Sequence, residues 1–86
     1  MTNYKIEVSA TAERQLKKIN KEDQVRILRS ISQLAGNPRP DGCKKLTDYE
    51  NVYRIRIGHY RVIYEVDGKK IVVIILKIGH RRDVYR

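Results

Sequence analysis

The sequence predicts an α+β domain: two N-terminal helices, paired as a hairpin, packed on one face of a small antiparallel sheet in the order β-α-α-β-β-β. Three observations lead there. Apolar residues recur at helical spacing only in the first half of the chain. In the second half they alternate with polar residues or run continuously in segments rich in β-branched and aromatic side chains. Those segments are separated by glycine-containing dipeptides suited to tight turns. The 86 residues make one domain, 1–86. A chain this short buries a modest share of its surface, which favours a shallow site on a sheet face over a deep enclosed one.

Taken in order, Tyr4-Lys5-Ile6-Glu7-Val8 alternates apolar and polar residues as a half-buried strand does. Ser9 or Thr11 can cap the helix that follows, in which Ala12, Leu16 and Ile19 fall on one stripe. Asn20 ends that stripe and can cap a second helix, with Glu22 and Asp23 in the first turn where negative charge suits the helix dipole. Ile27, Leu28, Ile31, Leu34 and Ala35 form its apolar face, and Gly36-Asn37-Pro38 stops it. Arg39 to Asp48 reads as a basic loop with room for a short edge strand. Val52–Ile57, Tyr60–Val66 and Lys70–Ile78 read as three strands, the last apolar enough to be central and covered on both faces. Gly58-His59 and Asp67-Gly68 are two-residue hairpin signals of the II′ and I′ kinds, which makes these strands antiparallel. The remainder, from Gly79 to Arg86, is too polar for a core.

The charge balance bears on partners. Nineteen Lys and Arg against ten Asp and Glu give a net charge of +9. Residues 44–86 hold eleven basic and five acidic residues, against eight and five in residues 1–43. An excess concentrated in one half suits a polyanion, because cations that neutralise phosphates release condensed counterions; a basic surface serving solubility is the plainer alternative. Cys43 is the only cysteine, so an internal disulfide is ruled out and nothing points to an oxidising compartment. The first residues lack the apolar region of a signal peptide. The longest apolar run, Ile71 to Leu76, falls far short of the roughly 20 residues of a membrane span. The expectation is a cytoplasmic protein with no membrane partner.

A turn at Gly58-His59 sets Arg56 opposite Arg61 and Arg54 opposite Ile63. Arg54, Arg56 and Arg61 then share one face, while Tyr53, Ile55, Val62 and Tyr64 face the helices. Like charges directly across a strand pair repel, and an anion between them relieves the repulsion. Arginines stay charged and hold phosphate in a bidentate fork. Histidine is the side chain whose ordinary proton exchange falls near neutrality, which makes His80 a candidate, and Tyr85 can exchange a proton where a positive field lowers its pKa. Taken alone, His80 reads more simply as a surface histidine in a basic tail. These parts suit RNA cleavage without a metal: attack by a ribose 2′-hydroxyl on the adjacent phosphate, charge stabilisation by arginines, and a proton for the departing 5′-oxygen. Two histidines, one cysteine and scattered acids make no metal set, and no nucleotide-binding or nucleophile-elbow motif is present. No cofactor is expected.

Val52-Tyr53-Arg54-Ile55-Arg56-Ile57, Tyr60-Arg61-Val62-Ile63-Tyr64-Glu65-Val66, Val72-Val73-Ile74 and Gly79-His80-Arg81-Arg82-Asp83-Val84-Tyr85 together resemble the RelE/ParE superfamily of toxins from type II toxin–antitoxin systems, and within it the RelE branch. The resemblance covers the whole chain and is most specific over residues 52–85. It implies an mRNA interferase, an endoribonuclease that cuts mRNA in the ribosomal A site without a metal and leaves a 2′,3′-cyclic phosphate. It also implies a cognate RelB-like antitoxin that neutralises the toxin, with operator DNA contacted only through the antitoxin complex. On this resemblance Arg61 and Arg81 match the family's catalytic arginines, and Tyr85 matches a C-terminal tyrosine that some members use. Histidines near the position of His80 take part in proton transfer in related branches. Arg54 and Arg56 stand where the best-known member has lysines, and since arginine hardly changes protonation state, more of the acid–base work falls to His80 and Tyr85. With Lys44, Lys45 and Arg82, Arg54 and Arg56 are the candidates for RNA binding. The alternatives are a ParE-like DNA gyrase inhibitor with the same fold and a plain RNA-binding module. The retained Arg61, His80, Arg81 and Tyr85 argue against the first. The absence of Trp and Phe, the usual stacking platforms beside Tyr, argues against the second.

Overall fold

A computed structural model of the protein describes residues 3–80. The chain runs β1 (Lys5–Val8), α1 (Ala10–Lys17), α2 (Lys21–Gln33), β2 (Lys44–Lys45), β3 (Val52–Ile57), β4 (Tyr60–Asp67) and β5 (Val72–His80). The strands form one five-stranded sheet in the order β1-β5-β4-β3-β2. The expected two helices over a mostly antiparallel sheet are present, with the edge strand β2 added. β1 departs from the expectation, because it pairs with β5 in parallel. Tight hairpins fix the direction only of the strands they join; β1 reaches the sheet through two helices and is free to run either way.

Both helix starts follow the capping chemistry. Ser9, in an extended conformation, accepts from the Ala12 amide through Oγ at 3.0 Å, and its hydroxyl donates to the Leu76 carbonyl at 3.0 Å. Asn20 accepts from the Asp23 amide at 3.0 Å. These side chains satisfy amides that the first turn leaves without helical partners. Ile19 lies just beyond α1, yet still packs against the core. Ala12, Ile27, Ile31 and Leu34 bury the helical faces against Tyr53, Ile55, Val62, Tyr64, Val66, Val73, Ile75 and Ile78. Leu28 does not join them: it is 44% exposed, on the side of α2 turned from the sheet.

The β3–β4 turn is the expected one. Ile57 pairs with Tyr60, and Gly58 has φ 60, as the first position of a II′ turn requires. The β4–β5 turn differs. Four residues, not two, separate Asp67 from Val72, because Asp67 Oδ1 accepts from the amides of Lys69 and Lys70, each at 3.0 Å. The side chain thereby organises a wider loop that closes through Ile71 at φ 57. β5 also extends to His80, so Gly79 and His80 belong to the sheet rather than to a polar tail. Its register shifts at a bulge opposite Ile63/Tyr64. Past the end of β1, the exposed edge of β5 is sealed by α1: the Ile78 amide donates to Gln15 Oε1 at 2.7 Å.

Candidate functional site

The helices cover one face of the sheet; the site lies on the other. β3 and β4 pair in the expected register, with Arg56 opposite Arg61 and Arg54 opposite Ile63. Both neighbouring strands extend the rows. Lys44 stands opposite Arg54, Lys77 opposite Ile63 and Gly79 opposite Arg61. One row across the sheet therefore reads Lys77, Ile63, Arg54, Lys44, and the next reads Gly79, Arg61, Arg56. Rows on one face lie about 7 Å apart along the strands. Glycine at 79 places no side chain of its own beside Arg61.

Lys77 is a member of this face that the sequence did not reveal. In a plain alternating strand, Lys77 and Leu76 point to opposite sides. The bulge breaks the alternation: Ile75 and Ile78 are both buried in the helix-side core, while Leu76 packs with Leu46, Val52 and Ile63 and Lys77 is aligned with Ile63. The face thus combines a small apolar patch with five cations, Lys44, Arg54, Arg56, Arg61 and Lys77, and with Glu65, which stands opposite Val52.

Arg54 is the most telling of these. It is 6% exposed, the only buried charged residue of those described, and its Nε has no hydrogen-bond partner. The ion pairs among the described residues join other side chains. A buried donor without a partner costs about 1–3 kcal/mol, more for a charged group, and Lys44 directly across adds repulsion. An anion received on this face offsets both terms.

Two expected residues do not reach it. Lys45 pairs with Tyr53 and so belongs to the helix-facing side. His80 lies opposite Tyr60, again in step with the helix-facing residues, because it is one residue past Gly79. Its exposed ring stacks on His59 at 6.2 Å between centroids and meets the Tyr60 ring edge-on at 5.9 Å. His59, expected only as a turn residue, is thus, with Tyr60, an aromatic companion of His80. Arg81, Arg82 and Tyr85 lie outside the described residues. Among the described residues, no three His, Cys, Asp or Glu side chains are grouped to hold a metal ion, and no helix is long and apolar enough to cross a membrane.

On the helix side, beneath the long loop, Tyr64 donates to the Pro38 carbonyl at 2.7 Å. Burial first, and then the neighbouring Cys43 thiol, hold its hydroxyl well above the usual tyrosine range. Tyr53 stacks on Tyr64 at 5.9 Å, receives the Arg39 Nε–H at 3.0 Å and lies 5.3 Å beneath the same guanidinium. This cluster clamps the loop that leads into β2. It is structural, and it fixes where Lys44 stands.

Comparison with known proteins places the chain. Residues 6–85 match the family described as ParE toxin of type II toxin–antitoxin system, parDE. The chain is 27% identical over 84 residues to toxin RelG of Mycobacterium tuberculosis, covering 96% of this chain and 97% of that one. It is 30% identical over 86 residues to the putative toxin RelE1 of Methanocaldococcus jannaschii, covering 96% of each. The archaeal RelE–RelB complex from Pyrococcus horikoshii OT3 contains a chain that superposes with a TM-score of 0.83 at 31% identity, over 98% of this chain and all (100%) of that one.

Proposed function

The chain belongs to the RelE/ParE family of toxins from type II toxin–antitoxin systems, and from that premise we propose that it is a ribosome-dependent endoribonuclease that cleaves mRNA in the A site without a metal cofactor. The observation that carries this reading is the buried, unpartnered Nε of Arg54 within a face of five cations. That face is complementary to a phosphate chain, and fixed guanidinium groups are suited to the extra charge of a transition state.

In this mechanism Arg54, Arg56 and Lys44 hold the phosphates on either side of the scissile one, and Arg82 adds to that contact. The 2′-oxygen attacks phosphorus as its proton passes to a base. The phosphorus–5′-oxygen bond breaks, the 5′-oxygen takes a proton, and a 2′,3′-cyclic phosphate remains. Arg61 and Arg81 stabilise the charge that builds on the non-bridging oxygens. Tyr85 supplies proton transfer. His80, at the end of β5 on the side of Tyr60, serves from the rim of the face, next in sequence to Arg81. Neutralisation falls to a RelB-like antitoxin, in keeping with the RelE–RelB complex that the chain resembles; operator DNA is reached through that antitoxin complex, and the setting is the cytoplasm.

The test is cleavage of a defined mRNA on programmed ribosomes. Cuts within the A-site codon, reduced about 10²–10³-fold in Arg61→Ala and Arg81→Ala and lowered in Tyr85→Phe, support the reading. Intact wild-type protein that leaves mRNA whole but blocks supercoiling by gyrase overturns it in favour of the ParE-like alternative.

A further inference from the structure

The loop joining β2 to β3 is not explained by phosphate binding. Its residues Lys45 to Glu50 line an open cleft of about 410 Å³. The ladder continues into the loop, where the Leu46 amide donates to the Val52 carbonyl at 2.9 Å, and the chain returns through Asn51 at φ 59. Tyr49 is 62% exposed, the most exposed large apolar side chain of those described, and it stands on the cleft between Asp48 and Glu50. Leu46 lies two residues beyond Lys44, and therefore about 7 Å along the strand from the Lys44–Arg54 pair, and it packs on Val52 and Ile63 of the arginine face. Leu46 is thus shared by the cleft and the arginine face.

Three properties decide what fits there. An aromatic ring left in water at the edge of a polynucleotide track is a platform for a nucleobase, and every base offers a π-face. Leu46 gives the cleft an apolar wall. Asp48 and Glu50 repel phosphate, so they admit a base and keep the backbone on the arginines. As acceptors without donors, these carboxylates select a base edge that carries donors. The Watson–Crick edge of guanine sets a ring N–H beside an amino group and matches a carboxylate with two parallel hydrogen bonds, whereas uracil offers a single ring N–H. We infer that the 46–50 loop is a base subsite, in which Tyr49 stacks a guanine of the bound strand and Asp48 or Glu50 reads its edge. The inference rests on the nuclease reading above and adds a specificity element to it.

The test uses the full-length protein in two arms. In the first, programmed ribosomes carry mRNAs with each of the four bases at each position of the A-site codon and its flanks. In the second, single-stranded oligonucleotides with methylated 2′-hydroxyls, which cannot be cut, are titrated against the protein. Wild type is expected to favour guanine at one position. Tyr49→Ala lowers kcat/KM for that substrate about tenfold and removes the preference, while Tyr49→Trp retains both. Asp48→Asn or Glu50→Gln narrows the preference by about fivefold or more without changing thermal stability. Wild-type rate and base preference in Tyr49→Ala overturn the subsite and leave the nuclease reading intact. If wild type cuts nothing on ribosomes, the nuclease reading fails by itself. In that case, guanine-selective binding in the second arm that is lost in Tyr49→Ala sustains the cleft; uniform binding, or none, overturns it too.

Discussion

Arg54 on β3 stands directly across from Lys44 on β2, so a buried guanidinium has another cation as its cross-strand neighbour. Nothing in the packing of the fold requires a charge at this place. Arg54→Met preserves the length and most of the volume of the side chain and removes both the desolvated charge and the repulsion. The expected outcome is a protein equally stable or more stable, by up to about 1–3 kcal/mol, that cleaves or binds RNA at least tenfold less well. Urea denaturation beside the ribosome assay measures the two effects separately. A loss of stability equal to the loss of activity would show that Arg54 is a structural residue.

Tyr64→Phe removes the 2.7 Å hydrogen bond to Pro38 and leaves a buried carbonyl unsatisfied. It is expected to destabilise by about 1–2 kcal/mol near neutral pH. The same residue sets an alkaline limit. Its folded-state pKa lies above the unfolded value, so folding favours the protonated hydroxyl. That contribution is complete below the ordinary tyrosine pKa of about 10 and declines as pH rises beyond it toward the folded value. Wild-type stability should therefore fall above about pH 10, and the fall should be shallower in Tyr64→Phe. Equal slopes in the two proteins would assign the alkaline loss elsewhere.

Gly58→Ala tests the turn that places the arginines. A Cβ at φ 60 is strained, by about 1–2 kcal/mol, and would approach the Arg26 guanidinium at 3.3 Å, which is the flexible end of a side chain and can move away. A loss of about 1 kcal/mol is expected, a fall in Tm of roughly 4–8 °C for a domain of this size. Gly58→Asn should lose less, because asparagine tolerates this conformation better.

Lys77→Ala addresses the cation that the bulge brings to the face. Folding should be unchanged, because the side chain is exposed. The slope of log K against log salt for RNA binding should fall in magnitude by about one, with a similar loss for every sequence. An unchanged slope would place Lys77 outside the nucleic-acid track.

The order of the elements and the arginine register were legible in the sequence for physical reasons. Period-2 alternation from Val52 to Val66, joined by a two-residue turn with glycine first, admits one register that buries Tyr53, Ile55, Val62 and Tyr64 together. The parallel course of β1 was not legible, because no local signal fixes the direction of a strand delivered by helices. The bulge at Ile63/Tyr64 was hidden as well. It follows a continuous apolar run, Val72 to Leu76, in which either face accepts every residue, and so the side taken by Lys77 and His80 depended on a single unseen irregularity. The wide turn after Asp67 was missed because its side chain, rather than a glycine dipeptide, organises it. Tyr49 was passed over because one exposed tyrosine in a polar loop carries no periodic signature; it gains meaning only from the cleft it lines with Leu46.

The helices occupy a single side of the sheet, and this has an evolutionary consequence. Even and odd positions of β3 and β4 answer to different demands: one set is held by the packing of α1 and α2, and the other carries the arginines beside a small apolar patch built on Val52 and Ile63. Substitutions at the charged positions of the second set leave the helix-side core untouched. A lineage can thus exchange lysines for arginines, or trade one target for another, while the framework beneath is inherited unchanged, and a single architecture can come to serve toxins with unrelated victims.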